Sequence, residues 1–126
     1  MSFQTIVSNQ SAPPLAPYSP ALRVGPFLFI SGQIPIQSDG QMVTGDFDAE
    51  TRQVCQNVTV LLEAAGIGWS SVCKVTIFTT DLSKFEQINA IYNEFVHAPY
   101  PARAAIEVAA LPKGARIEME VMAYVK

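Results

Sequence analysis

Arg103 stands two residues after Pro101, at the mouth of the strand-like run Ala104–Ala110. Glu107 lies within that run, and Glu118 and Glu120 lie on a second strand-like run, Arg116–Val125. A guanidinium is planar and permanently charged, so it grips a carboxylate through two parallel N–H donors. A glutamate close by can hold a water and carry its proton. Such a set suits a small carboxylic-acid substrate and proton-transfer chemistry. If the two runs form a hairpin through Leu111-Pro112-Lys113-Gly114, a slip of one residue changes which glutamate meets Arg103. Spacing therefore leaves Glu107, Glu118 and Glu120 as alternatives. It also leaves the plainer reading, a surface arginine whose exposed ion pair contributes little.

Other chemistries find less support. His97 is the only histidine, so neither a histidine metal cluster nor a histidine-based triad has its parts. Lys74, Lys84, Lys113 and Lys126 lack the apolar setting that lowers an amine's pKa for Schiff-base work. Gly66-Ile67-Gly68 has no further phosphate-loop pattern. Cys55 and Cys73 are too few and too far apart for a disulfide framework or a redox pair, and read as reduced thiols in a helix and a strand. Asn89, one turn after Phe85, adjoins a helical stripe as a half-buried amide. These residues imply cofactor-free chemistry, without a metal, or simple ligand binding.

The elements that must carry them follow from pattern. Phe3–Val7 reads as a strand, and the proline-rich stretch through Pro13, Pro14, Pro17 and Pro20 as a loop. Leu22–Val24 and Phe27–Ser31 are strands around a Gly25-Pro26 break. Ser31-Gly32-Gln33 ends that run, with a glycine that leaves room for close approach to the backbone, and Ile34–Phe47 reads as loop. Asp48 is placed to cap a helix over Ala49–Ala65, whose stripe is Val54, Val58, Leu61, Leu62 and Ala65 and whose stop is Gly66. Val72–Thr80 is a β-branched strand, and Asp81 or Ser83 caps a second helix with the stripe Phe85, Ile88, Tyr92 and Phe95. The fold class is α+β, one domain over residues 1–126, with both helices on one face of a mixed six-stranded sheet. Along the last strand Ile117, Met119, Val121, Ala123 and Val125 alternate with Glu118, Glu120, Met122 and Tyr124, so the uncovered face suits an interface better than water.

Composition sets the outer limits. At 126 residues the chain builds a real core, yet oligomerisation would help it. Apolar residues make up 49% and charged ones only 15%, which favours burying some apolar surface between subunits. The net charge of −3 and the pI near 5.0 argue against a broad nucleic-acid footprint. No run approaches the roughly 20 apolar residues of a membrane helix, and Met1-Ser2-Phe3-Gln4 lacks a signal's layout. A cytoplasmic protein is expected.

Several separated motifs carry a likeness to a known family: Ala16-Pro17-Tyr18-Ser19-Pro20-Ala21, Phe29 to Pro35, Asn57 with Leu61 and Ala65-Gly66, and Pro101-Ala102-Arg103 through Met122-Ala123. Nearly end to end and in this order, they resemble the Rid family of reactive-intermediate deaminases, also called YjgF/YER057c/UK114, in its archetypal, arginine-bearing branch. The resemblance implies a chorismate-mutase-like fold, a homotrimer with active sites between subunits, and no metal or cofactor. It implies hydrolysis of 2-imino and 2-enamino acids, the products of pyridoxal-phosphate dehydratases, to 2-keto acids and ammonia. In that scheme Arg103 binds the substrate carboxylate and Glu118 orients the attacking water. Tyr18, Ser31, Gly32 and Asn89 line the pocket, and the backbone at Ala105 helps position the ligand. Ala104-Ala105 departs from the Ser-Cys often found there; the contribution the resemblance implies at that place is through the main chain, which alanine supplies equally. A keto-acid sensor without catalysis, and an RNA-cleaving or translation-inhibiting protein, are the rival readings.

Overall fold

The computed structural model describes residues 2–125. The chain runs β1 (Phe3–Ile6), β2 (Ala21–Val24), β3 (Phe27–Gln33), α1 (Phe47–Ala64), β4 (Val72–Thr79), α2 (Phe85–Phe95), β5 (Ala102–Glu107) and β6 (Ile117–Tyr124). The six strands form one sheet in the order β1-β2-β3-β6-β4-β5. Only β4 and β5 are parallel. The α+β class with a mixed sheet is as expected.

The expected closing hairpin does not exist. β4 lies between β5 and β6, pairing parallel with β5 and antiparallel with β6. The cause is the crossover: a strand that returns through a helix re-enters the sheet parallel to its predecessor. α2 carries the chain back, so β5 falls beside β4 at the sheet edge. β6 then enters the middle, where its row Ile117, Met119, Val121 and Ala123 is buried. No hairpin register therefore chooses Arg103's partner.

The first helix also begins earlier than expected. Asp46, not Asp48, is its cap, accepting from the backbone N–H groups of Asp48 (3.0 Å) and Ala49 (3.3 Å). Starting two residues sooner buries Phe47 and leaves Asp48 and Glu50 in the first turn, where the helix dipole favours acids. Asp81 caps the short turn Leu82–Lys84 that leads into α2.

The core lies between the helices and one sheet face. Val54, Val58, Leu61 and Leu62 of α1 and Ile88 of α2 pack with Leu28, Val75, Ile77, Ile117 and Met119. Each such side chain contributes about 1.5–3 kcal/mol on full burial. Two polar devices fix the ends of site-bearing strands. Buried Asn57 donates to the carbonyls of Ile34 (3.0 Å) and Ile36 (2.8 Å), pinning the chain just after β3 to α1. Buried Glu50 accepts two hydrogen bonds from Arg116 at the start of β6, at 3.1 and 2.5 Å.

The other sheet face has no helix over it. Phe27, Phe29, Ile106 and Tyr124 remain 40–49% exposed there. Phe27 meets Tyr124 edge-on at 5.8 Å. Among the described residues no helix is long and apolar enough to cross a membrane.

Candidate active site

The sheet divides the expected site residues into two groups. Arg103 pairs in register with Val75, and Ala105 with Ile77, two buried residues of the helix-covered face. Arg103 accordingly projects toward α2, where its guanidinium lies over the rings of Tyr92 at 5.0 Å and Phe85 at 5.4 Å. With Asn89, Tyr92, Asn93, Tyr100 and Pro101 it lines an open cleft of about 420 Å³. The ion pairs among the described residues are Arg52–Glu94 and Arg116–Glu50, so no carboxylate there claims Arg103.

Two polar atoms of α2 beside this arginine are buried without a hydrogen-bond partner: Oδ1 of Asn89 and the hydroxyl of Tyr92. Burial raises the Tyr92 pKa against the opposing pull of Arg103, so the phenol keeps its proton at neutral pH. The Ala105 side chain packs against the core. Its strand has β4 on one side and no strand on the other, so part of the β5 backbone is available to a ligand.

The second group sits across the sheet. Glu118 pairs with Phe78 and points away from the buried row formed by Ile117 and Met119. Its carboxylate rests against Gly32. A Cβ added there would lie 2.8 Å from Cδ of Glu118 and closer still to Oε2, so only glycine leaves that space. Burial, and then the negative charge of Glu120, raise the Glu118 pKa above the ordinary glutamate range. A carboxyl moved toward neutrality is better matched to proton transfer near pH 7.

Ser31 donates from Oγ to the Ser19 carbonyl (2.6 Å) and from its N–H to the Pro20 carbonyl (3.0 Å), tying the proline-rich loop to β3. That tie brings Tyr18, 44% exposed, to a small cavity of about 30 Å³ that it shares with Gly32. Gly32 and Glu118 therefore meet on one side, with Ser31 and Tyr18 tied to the same end of β3, and Asn89, Arg103 and Ala105 lie on the other. Within one protomer a small ligand held by Arg103 cannot reach Glu118, because the sheet lies between them.

The remaining candidates separate cleanly. Oε1 of Glu107 accepts from the Leu82 N–H at 2.8 Å, which anchors the turn before α2. Glu120 is exposed and lines a shallow groove with Phe29, Lys74 and Thr76. His97 is exposed. Lys84 lies over the Phe47 ring at 5.3 Å, and Lys126 lies outside the described residues. Cys55 is buried, which pushes its thiol up to about 12, and Cys73 is exposed. Among the described residues no group of three or more His, Cys, Asp or Glu side chains could hold a metal.

Sequence reasoning missed the part played by Phe85 and Tyr92, which read simply as core stripe. The available signal was the amide of Asn89 lodged between them, one turn from each.

Comparison with known proteins gives one consistent family. The family model described as Endoribonuclease L-PSP matches residues 9–125. A RutC family protein of Pyrococcus horikoshii is 45% identical over 124 residues, spanning 97% of this chain and 98% of its own. The human 2-iminobutanoate/2-iminopropanoate deaminase is 42% identical over 123 residues, covering 96% of this chain and 90% of its own. Among solved structures, RidA from an Antarctic Psychrobacter superposes with a TM-score of 0.93 at 37% identity, covering 97% of this chain and 99% of that one.

Proposed function

The chain belongs to the Endoribonuclease L-PSP (Rid/YjgF) family, and from that premise we propose that it hydrolyses 2-imino and 2-enamino acids to 2-keto acids and ammonia. The observation that carries this reading is Arg103: a guanidinium held against two rings, facing a cleft, with no protein carboxylate on it. Such a group is prepared for the carboxylate of a small acid. The human relative's name supports the imine-deaminase assignment, while the Pyrococcus relative, at similar identity, carries only a family name.

The imine carbon of such a substrate is already electrophilic, so the main requirement is a well-placed water. Arg103 holds the substrate carboxylate. Glu118 accepts a proton from the attacking water as the C–O bond forms, giving a carbinolamine. Glu118 returns that proton to the amine, the C–N bond breaks, ammonia leaves, and the hydroxyl gives up its proton as the carbonyl of the keto acid forms. An enamine enters the same sequence after a proton reaches its terminal carbon. Tyr18, Ser31 and Gly32 shape the pocket on the Glu118 side, and Asn89 and the Ala105 backbone line it on the Arg103 side. Neither metal nor cofactor is required.

Because Arg103 and Glu118 leave opposite faces of one sheet, the complete site in this proposal forms between copies of the chain. A cyclic homotrimer presents each protomer's helix-side cleft to a neighbour's open face, and the exposed Phe27, Phe29 and Tyr124 supply apolar contact area. The proposed setting is the cytoplasm, beside dehydratases that release such imines.

The test couples the purified protein to a pyridoxal-phosphate serine or threonine dehydratase and follows keto-acid release. The proposal expects release faster than in buffer. Keto-acid binding without acceleration would instead establish a sensor. The family model's description favours one further reading, RNA cleavage. The net charge of −3 opposes it, and salt-dependent RNA binding would revive it.

A further inference from the structure

We propose that Phe85 and Tyr92 act as positioning residues, forming an aromatic seat that fixes the direction of the Arg103 guanidinium and leaves its N–H edges free for a ligand carboxylate. An arginine on an edge strand has many rotamers, and holding one of them has an entropic cost. Proteins commonly meet that cost with a carboxylate partner, as Arg52 and Arg116 do here. A carboxylate on Arg103 would occupy the donors that a substrate needs. Aromatic rings attract a guanidinium through their negative faces without accepting its in-plane N–H bonds. Both rings lie within the roughly 6 Å over which that attraction acts, at 5.0 and 5.4 Å.

The two halves of the seat differ. Tyr92 is the fixed half: only 7% exposed, it meets Trp69 edge-on at 6.5 Å, and Trp69 is itself held by a 2.9 Å hydrogen bond from Nε1 to Oγ1 of Thr59. Its hydroxyl has no partner, so the ring is the working part. Phe85, at the start of α2, is 39% exposed and can be changed without opening the core.

The ligand side of this inference rests on the function proposed above, but the seat can be observed without any ligand. The Nε–Hε resonance of Arg103, identified by its loss in Arg103→Lys, should be displaced by ring currents in the wild type. In Phe85→Leu it should move toward the free-arginine position. In the same variant the dissociation constant for 2-oxobutanoate, and KM in the coupled assay, should rise about three- to fivefold with kcat little altered. Phe85→Tyr should restore both, and Tyr92→Phe should restore what Tyr92→Leu loses. An unmoved resonance in Phe85→Leu would overturn the seat. So would equal losses in Tyr92→Phe and Tyr92→Leu, which would assign the contact to the hydroxyl. A shifted resonance and weakened keto-acid binding in a protein with no hydrolytic activity would uphold the seat while removing the deaminase reading.

Discussion

On the helix-covered face, the charge of Arg103 is oriented by two aromatic rings and left without a counter-ion. On the uncovered face, the charge of Glu118 lies over the bare backbone of Gly32, half-buried and two residues from the like charge of Glu120. The first arrangement keeps a permanent charge ready to bind. The second makes ionisation costly and the proton easy to hold. In the proposed reaction a binding group and a proton-transfer group need these opposite treatments, and the sheet turns the two residues proposed for them to opposite faces. The difference teaches that the work is divided: loss on the Arg103 side should read in binding, and loss on the Glu118 side in turnover.

The largest expected effect breaks the binding half. Arg103→Ala should lower kcat/KM by about a hundredfold or more and abolish keto-acid binding measured by calorimetry. Glu118→Gln should lower kcat by about tenfold to a hundredfold while keeping that binding, which is the contrast the division requires. Equal loss of ligand affinity in both variants would erase it. Next comes Gly32→Ala, whose added methyl must displace the Glu118 carboxylate. About a tenfold fall in kcat is expected, with keto-acid affinity retained.

Smaller effects appear on the pH axis. Activity that needs ionised Glu118 should fall, as pH drops, above the ordinary glutamate range. Glu120→Gln removes the lesser of the two causes of the raised pKa, so this acidic limb should move to lower pH without reaching an ordinary glutamate's. The sign for stability is fixed as well. A carboxyl whose folded pKa exceeds its unfolded value binds its proton more tightly when folded, so its stabilising contribution is complete below the unfolded pKa and is lost as pH rises through the folded one. Glu118→Gln should therefore melt above the wild type near neutral pH, and the gap should close on acidification.

Much of this was legible in the sequence, and the exceptions have physical causes. The helices announced themselves through Val54, Val58, Leu61 and Leu62 and through Ile88 and Tyr92, buried as their spacing required, while Phe85 and Phe95 of the second stripe stay partly exposed. β6 was legible as a strand, because one of its two rows is wholly apolar. Its place was not, because the β4–α2–β5 crossover decides it and no local pattern records which strand a later one will join. Arg103 was legible as a candidate, but its setting was not, for a related reason. Alternation along Ala102–Glu107 puts Arg103, Ala105 and Glu107 in one row, which a simple inside-outside rule would send to solvent. At the sheet edge that row instead meets the rings of α2. The closeness of Glu118 to Gly32 depends on how β3 and β6 pair through an irregularity between Ile30 and Gln33, and no spacing rule reveals it. The family resemblance singled out Glu118 where spacing could not, and its half-buried seat and raised pKa are the local features that suit the role.

The central claim is that Arg103 of one copy and Glu118 of another complete each site. Arg103→Ala and Glu118→Gln, each impaired alone, should be unfolded together, refolded as mixed oligomers and assayed for imine hydrolysis. If sites form between copies, random assembly from equal amounts should return about a quarter of the wild-type sites. Activity no higher than the average of the two separate variants would contradict the claim and return both residues to a single protomer.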